Sequence, residues 1–143
     1  MTSENPTFDD FPAEVYAGSI VAFFQHGLLI VEDAASQAVH ESWDAASERT
    51  HFDDDSLFVA VRPHVDGPVR VDVFVDEIPE KFADGLVECF DGVLPLRSGV
   101  VCVHDSDDLV RLTRRISVDQ PHFGVLVNDT ERVDRVLVVL YDR

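Results

Sequence analysis

The stretch PVRVDVFVDE (68–77) alternates strictly between two kinds of side chain. Val69, Val71, Val73 and Val75 fall on one face, while Arg70, Asp72 and Asp76 fall on the other with Phe74 among them. Successive side chains of a strand point to opposite faces, so this period of two predicts a half-buried β-strand. Similar runs lie on either side of it. EVYAGSIVAFF (14–24) and GLLIVE (27–32) flank the turn-like QHG, and SLFVAV (56–61) follows. Beyond it come GLVECF…VLPL (85–96), GVVCVHD (99–105), LVRLTRRISV (109–118), FGVLVND (123–129) and RVLVVLYD (135–142). Short apolar runs separated by turn residues are the pattern of a sandwich or barrel. VLVVLY is apolar on both faces and is expected at the centre of a sheet.

The fold class expected is all-β: an antiparallel β-sandwich of about eight or nine strands with one short helix. The helix is expected in DAASQAVHESWDAASE (33–48). Its alanines favour helix, Asp33 is placed to cap it, and Val39 and Trp43 share a face, with Trp43 as packing anchor. An α+β domain in which 78–90 is also helical is the alternative. Residues 1–12 are expected to form a flexible acidic N-terminal tail, and residues 13–143 a single β-sandwich domain, since cores of about 100–150 residues are common.

The chain carries 28 acidic and 11 basic residues, a formal net charge of −17. Asp outnumbers Glu by 19 to 9, and Lys81 is the only lysine beside ten arginines. Direct binding to nucleic acid is therefore not expected, because phosphate contacts need clustered Lys and Arg. Two readings of the charge remain. It is a hydrated surface adapted to salt, or it is a face that attracts a basic partner and speeds encounter. No run reaches the ~20 apolar residues of a membrane helix, and MTSENPTFDDF has no basic or apolar leader, so a cytoplasmic location is expected. Cys89 and Cys102 lie in successive expected strands. A tight turn near LRSG (96–99) would offset them by roughly 13 Å, so both are read as reduced thiols in or near the core.

Three aspartates in a row, Asp53, Asp54 and Asp55, precede SLFVAV, and a second acidic group follows GVVCVHD: Asp105, Asp107 and Asp108. A calcium loop of the EF-hand type needs Gly at its sixth position and Glu at its twelfth. Counted from Asp53 those positions hold Phe58 and His64, and counted from Asp105 they hold Val110 and Ile116. Adjacent carboxylates in an extended strand also point to opposite faces. No metal site is expected.

His51 and Asp53, and likewise Cys102 and His104, are placed to share strand faces. Those four residues are the basis of an alternative, a small metal-dependent hydrolase. CxxC, HExxH, GxSxG and a Gly-rich phosphate loop are all absent from the chain. The arginines Arg111, Arg114 and Arg115 read as an outward strand face paired with some of the excess Asp. The chain is therefore read as non-enzymatic, with no cofactor. A salt-adapted ligand-binding sandwich stands beside that reading as an alternative function, and an exposed strand edge leaves room for a homodimer.

The order of segments resembles the competence protein J family, whose best-known activity is inhibition of a DNA-entry nuclease. The features that carry the resemblance run from about residue 15 onward: SIVAFF (19–24), a tryptophan-bearing connection SWDAA (42–46), SGVVCVHDS (98–106), and RRISVDQP (114–121) leading into FGVLV (123–127). One departure is DQPHFG, where the family tends to a Pro-x-Gly turn. The resemblance implies a non-catalytic inhibitor of a basic partner, with a nuclease as the partner in view. On that reading Asp53, Asp54, Asp55, Asp105, Asp107 and Asp108 are the candidate contact residues; otherwise they are solvated connections.

Overall fold

The computed structural model describes residues 15–44, 46–128 and 131–143. The expected tail, residues 1–12, lies outside the described residues. The strands are β1 (Tyr16–Ala22), β2 (Leu28–Asp33), β3 (Thr50–Asp53), β4 (Ser56–Ala60), β5 (Val69–Val75), β6 (Leu86–Val93), β7 (Val100–Asp105), β8 (Arg111–Arg115), β9 (His122–Asn128) and β10 (Arg135–Tyr141), with a short helix α1 (Glu80–Ala83) before β6. They form two five-stranded sheets, ordered β1-β5-β10-β9-β6 and β3-β4-β2-β7-β8. The chain is an all-β sandwich, as expected.

Val69, Val71 and Val73 of β5 meet Leu29 and Val31 of β2, Leu57 and Val59 of β4, and Val101 and Val103 of β7 in one core between the sheets. The strand centred on VLVVLY is central, between β5 and β9. It pairs parallel with β5, Val136 opposite Val71, whereas the other strand pairs are antiparallel. The far side of β5 is not solvated, as alternation alone would have it. Asp72 and Phe74 are buried there, and Phe74, Tyr16, Phe82, Leu137 and Val139 make a second, smaller core under α1. Tyr16 stacks on Phe74 at 5.0 Å and Phe82 meets Phe74 edge-on at 4.7 Å. The Tyr16 hydroxyl donates to Asp72 Oδ1 (3.0 Å), and the Arg70 guanidinium holds the same carboxylate (Nε to Oδ2, 3.0 Å), so the buried charge is paired.

Three expectations are corrected. The described residues of 33–48 contain no helix: Asp33 closes β2, and its Oδ2 accepts from Ala35 N (3.2 Å). His40 sits at φ +51°, and Asp44 accepts from Ala46 N and the Ser47 hydroxyl. Short polar side chains that bond the local backbone compete with helix and outweigh the alanines. The helix present, Glu80–Ala83, falls within the alternative's 78–90 but is one turn long, and from Leu86 onward that range is β6. The tenth strand is β3, within the stretch taken as a connection: Asp53 pairs with Ser56, and Asp54 and Asp55 form the two-residue turn between them, Asp54 at φ +55°. Aspartate tolerates that left-handed backbone better than most residues. Cys89 and Cys102 are free, half-buried and buried, but they lie in different sheets rather than across one tight turn.

Candidate functional site: the outer face of the second sheet

The register of the second sheet aligns two rows of side chains on its outer face. One row runs His51, Phe58, Ile30, His104, Arg111; the next runs Asp53, Ser56, Glu32, Cys102, Thr113. The 34–44 segment crosses this face. His40 lies flat on Phe58, ring centroids 3.6 Å apart, and Trp43 meets Phe58 edge-on at 5.6 Å. Trp43 is thus a packing anchor, for an irregular segment rather than a helix.

Beneath that segment, polar groups form a continuous chain. The Ser56 hydroxyl donates to Glu32 Oε1 (2.8 Å), so Ser56 Oγ must accept from His40 Nε2–H (2.9 Å). A neutral His40 then has a bare Nδ1, which accepts from His51 Nδ1–H (2.8 Å). The remaining nitrogen of His51, Nε2, accepts from the Ser42 hydroxyl (2.9 Å). At the other end, His104 Nδ1 faces the Asp105 carbonyl oxygen (2.7 Å) and Nε2 faces Glu32 Oε2 (2.8 Å). Both neighbours are acceptors, so both ring nitrogens donate and His104 is an imidazolium.

The electrostatics agree. Burial alone would lower the His104 pKa, but the hydrogen bond and charge of Glu32, then Asp105 and Asp108, raise it above its ordinary value. Burial opposes ionisation of Glu32, and the bonds from His104 and Ser56 offset that and hold its pKa low. Burial and the charge of His51 lower His40, against Asp53 and Glu32.

The structure separates the expected site residues into roles. Asp53 Oδ2 accepts from His40 N (3.1 Å), Asp55 Oδ1 from the Ser36 hydroxyl (2.5 Å), and Asp105 Oδ1 from Leu109 N (2.7 Å) and Val110 N (3.1 Å). Those three tie the chain to itself. Asp54, Asp107 and Asp108 are exposed, beside Arg97, His26 and Arg111 respectively. The two groups lie at opposite ends of the sheet: Asp55 bonds to Asp33, Asp105 pairs with Leu29, and four residues of β2 span roughly 13 Å.

His51, Asp53, Cys102 and His104 share the outer face, but two strands stand between the first pair and the second. No group of three or more metal-ligating side chains occurs among the described residues. Burial pushes the Cys102 thiol up to about 11, away from nucleophilic thiolate. Ser42 and His51 have the contact of a nucleophile and its base. The nearby N–H groups of His40 and Trp43 are already bonded, to Asp53 Oδ2 and His40 O, and so are not available to an oxyanion.

A cleft of about 480 Å³ opens at one side of this face, lined by Val39, Glu41, Ser42, His51, Phe52 and Asp53. Sequence reasoning missed Glu32, His40, Ser42 and Ser56, which come together through the register of the second sheet and the path of the 34–44 segment across it. Among the described residues no helix is long and apolar enough to cross a membrane.

No family model and no curated protein sequence matches this chain. Two solved structures are similar in fold. One is ComJ, inhibitor of the DNA degrading activity of NucA, from Bacillus subtilis: TM-score 0.66 at 7% identity, over 90% of this chain and 98% of that one. The other is solved as crocagin biosynthetic gene J: TM-score 0.54 at 12% identity, over 91% of this chain and 97% of that one. The protein has the fold that ComJ has, over nearly the whole of both chains.

Proposed function

We propose that the protein is an inhibitor-type binding protein that works by occupying a basic partner, and that the partner is a nuclease. The fold shared with an inhibitor of a DNA-degrading activity carries this reading. The net charge of −17 supports it. A nuclease grips phosphates with cationic side chains, and a protein offering carboxylates competes for the same cleft. Binding of this kind needs no catalytic group, cofactor or metal. Asp54, Asp107 and Asp108 are the expected aspartates free enough to meet a partner directly, while Asp53, Asp55 and Asp105 hold the turns that present them. The two free thiols support a reducing compartment, the cytoplasm.

The test is an equilibrium and kinetic titration against a basic DNA-degrading nuclease, read by inhibition of DNA cleavage. Inhibition should be stoichiometric, and association should slow as salt rises, because the Debye length falls from about 10 Å at 0.1 M to about 3 Å at 1 M. If the protein leaves every basic nuclease tested unaffected, and salt only raises its melting temperature, the charge is a hydration device and the reading fails.

A further inference from the structure

Among the described residues the second sheet ends at β3, which pairs with β4 on one side only. The Ala60 amide donates to Arg49 O (2.8 Å), which fixes the alternation of the ladder. Residues 49, 51 and 53 turn their N–H and C=O groups toward β4. Thr50 and Phe52 therefore turn theirs toward the open edge.

The cleft of about 480 Å³ lies along that edge, since its lining comes from both faces of β3: His51 and Asp53 from the outer face, Phe52 from the inner. Phe52 leans on Phe90 (5.4 Å) at the mouth of the sandwich and is still 36% exposed; Val39, opposite, is 70% exposed. Among the described residues of the lining, Glu41 and Asp53 supply two carboxylates and there is no Lys or Arg. His51 is engaged on both ring nitrogens, by His40 and Ser42, and among the described residues the bond to the Asp53 carboxylate falls on Oδ2, from His40 N. The wall formed by Val39, Glu41 and Ser42 is held in place by the His40 chain, so the cleft is formed in advance.

We infer that this edge is where the partner docks: an extended segment adds as a strand beside β3, an Arg or Lys side chain meeting Glu41 and Asp53 and an apolar one lying against Val39 and Phe52. Strand addition takes its affinity from backbone bonds to an open edge and its selectivity from the side chains alongside. The inference rests on the basic-partner reading and names its contact surface.

The probe is a fluorescein-labelled ten-residue peptide of alternating Arg and Val, with a Glu/Val peptide of equal length as control. The Arg/Val peptide should bind saturably and move the amide resonances of Thr50, Phe52 and residues 39–42. Glu41→Lys should weaken it at least tenfold. Thr50→Pro should do the same while keeping the fold, because that N–H faces away from β4. Glu80→Lys, on α1 over the far face of the first sheet, should stay within about twofold. Equal affinity in Glu41→Lys and Thr50→Pro would overturn the inference. So would concentration-dependent dimers of the free protein with shifts at β3, which would make a second copy the occupant. If both variants still inhibit a nuclease that wild type inhibits, the partner reading stands and this surface falls; if neither nuclease nor peptide binds, both fall.

Discussion

His40 and His51 meet nitrogen to nitrogen, Nδ1 to Nδ1 at 2.8 Å, so one proton is shared between two rings. A proton added at His40 Nδ1 would put two N–H groups against each other. His51, Asp53 and Glu32 are the titratable groups facing His40, and burial together with His51 lowers its pKa below 6.5. A folded-state pKa depressed in this way contributes stability above the unfolded value that is lost as pH falls below it. Moving from about pH 7.5 to about 5 should therefore loosen the 34–44 segment before the sheets. Hydrogen exchange read residue by residue should accelerate first at the His40 and Trp43 amides. Uniform acceleration across both sheets would show that the histidine pair is not the weak point.

The Glu32–His104 pair has the opposite pH sense at its histidine. Its raised pKa means a contribution complete below 6.5 and lost as pH climbs through the higher folded value. Both side chains are largely buried, so Glu32→Ala strands an imidazolium and should cost about 3 kcal/mol. Denaturant unfolding of the variant checks this. A loss under ~1 kcal/mol would mean that His104 sheds its proton at little cost.

Phe82 fastens α1 to the outer face of the first sheet through Phe74. Phe82→Ala should cost roughly 3–5 kcal/mol, as for other buried aromatics. Tyr16→Phe removes one donor from Asp72 while Arg70 still holds it, and should cost about 1 kcal/mol. Similar losses in the two variants would contradict a packed second core.

The acidic residues after β7 should separate by role. Asp105→Ala removes the acceptor for the Leu109 and Val110 amides and should destabilise by about 2 kcal/mol. Asp107→Ala breaks only an exposed pair with His26 and should stay within about 0.5 kcal/mol. Thermal melts of the single variants suffice. Combined Asn substitutions across the whole group would confuse binding with folding.

Thiol reactivity offers a simple check on the core. Burial pushes Cys89 and Cys102 up to about 11 each, so both should resist maleimide at neutral pH and react once the chain unfolds. Rapid labelling of Cys102 in the native protein would show that the outer face of the second sheet is open.

Much of the sandwich could be read from period and spacing. Val69, Val71 and Val73 declared a buried face, and the doubly apolar VLVVLY declared a central strand. Phe74, an aromatic among charges on the other face of β5, was the one sign that this face too was covered; its cover comes from Tyr16 and Phe82, which no local period connects to it. The 34–44 segment was misread because alanine content is local, whereas the bonds from His40 to Asp53 and Ser56 are not. The polar chain was the least legible part. His51 and His104 were singled out for sharing faces with Asp53 and Cys102, but Glu32 and Ser56 join them only through the register of β2, β4 and β7. Asp53, Asp54 and Asp55 looked like one acidic unit, yet a two-residue turn gives each of them a different task.

The parallel pairing of β10 with β5 bears on how the chain is made. Each residue of β10 sits opposite one 65 positions earlier, Arg135 against Arg70. Until β10 leaves the ribosome, β1–β5 and β9–β6 remain two separate ribbons, each with a bare valine-rich edge. The second sheet, whose strands all lie between residues 28 and 115, can assemble well before that. Synthesis from the N-terminus thus leaves the first sheet waiting for its keystone, and a stall or nick before residue 135 would leave two sticky edges exposed to other nascent chains.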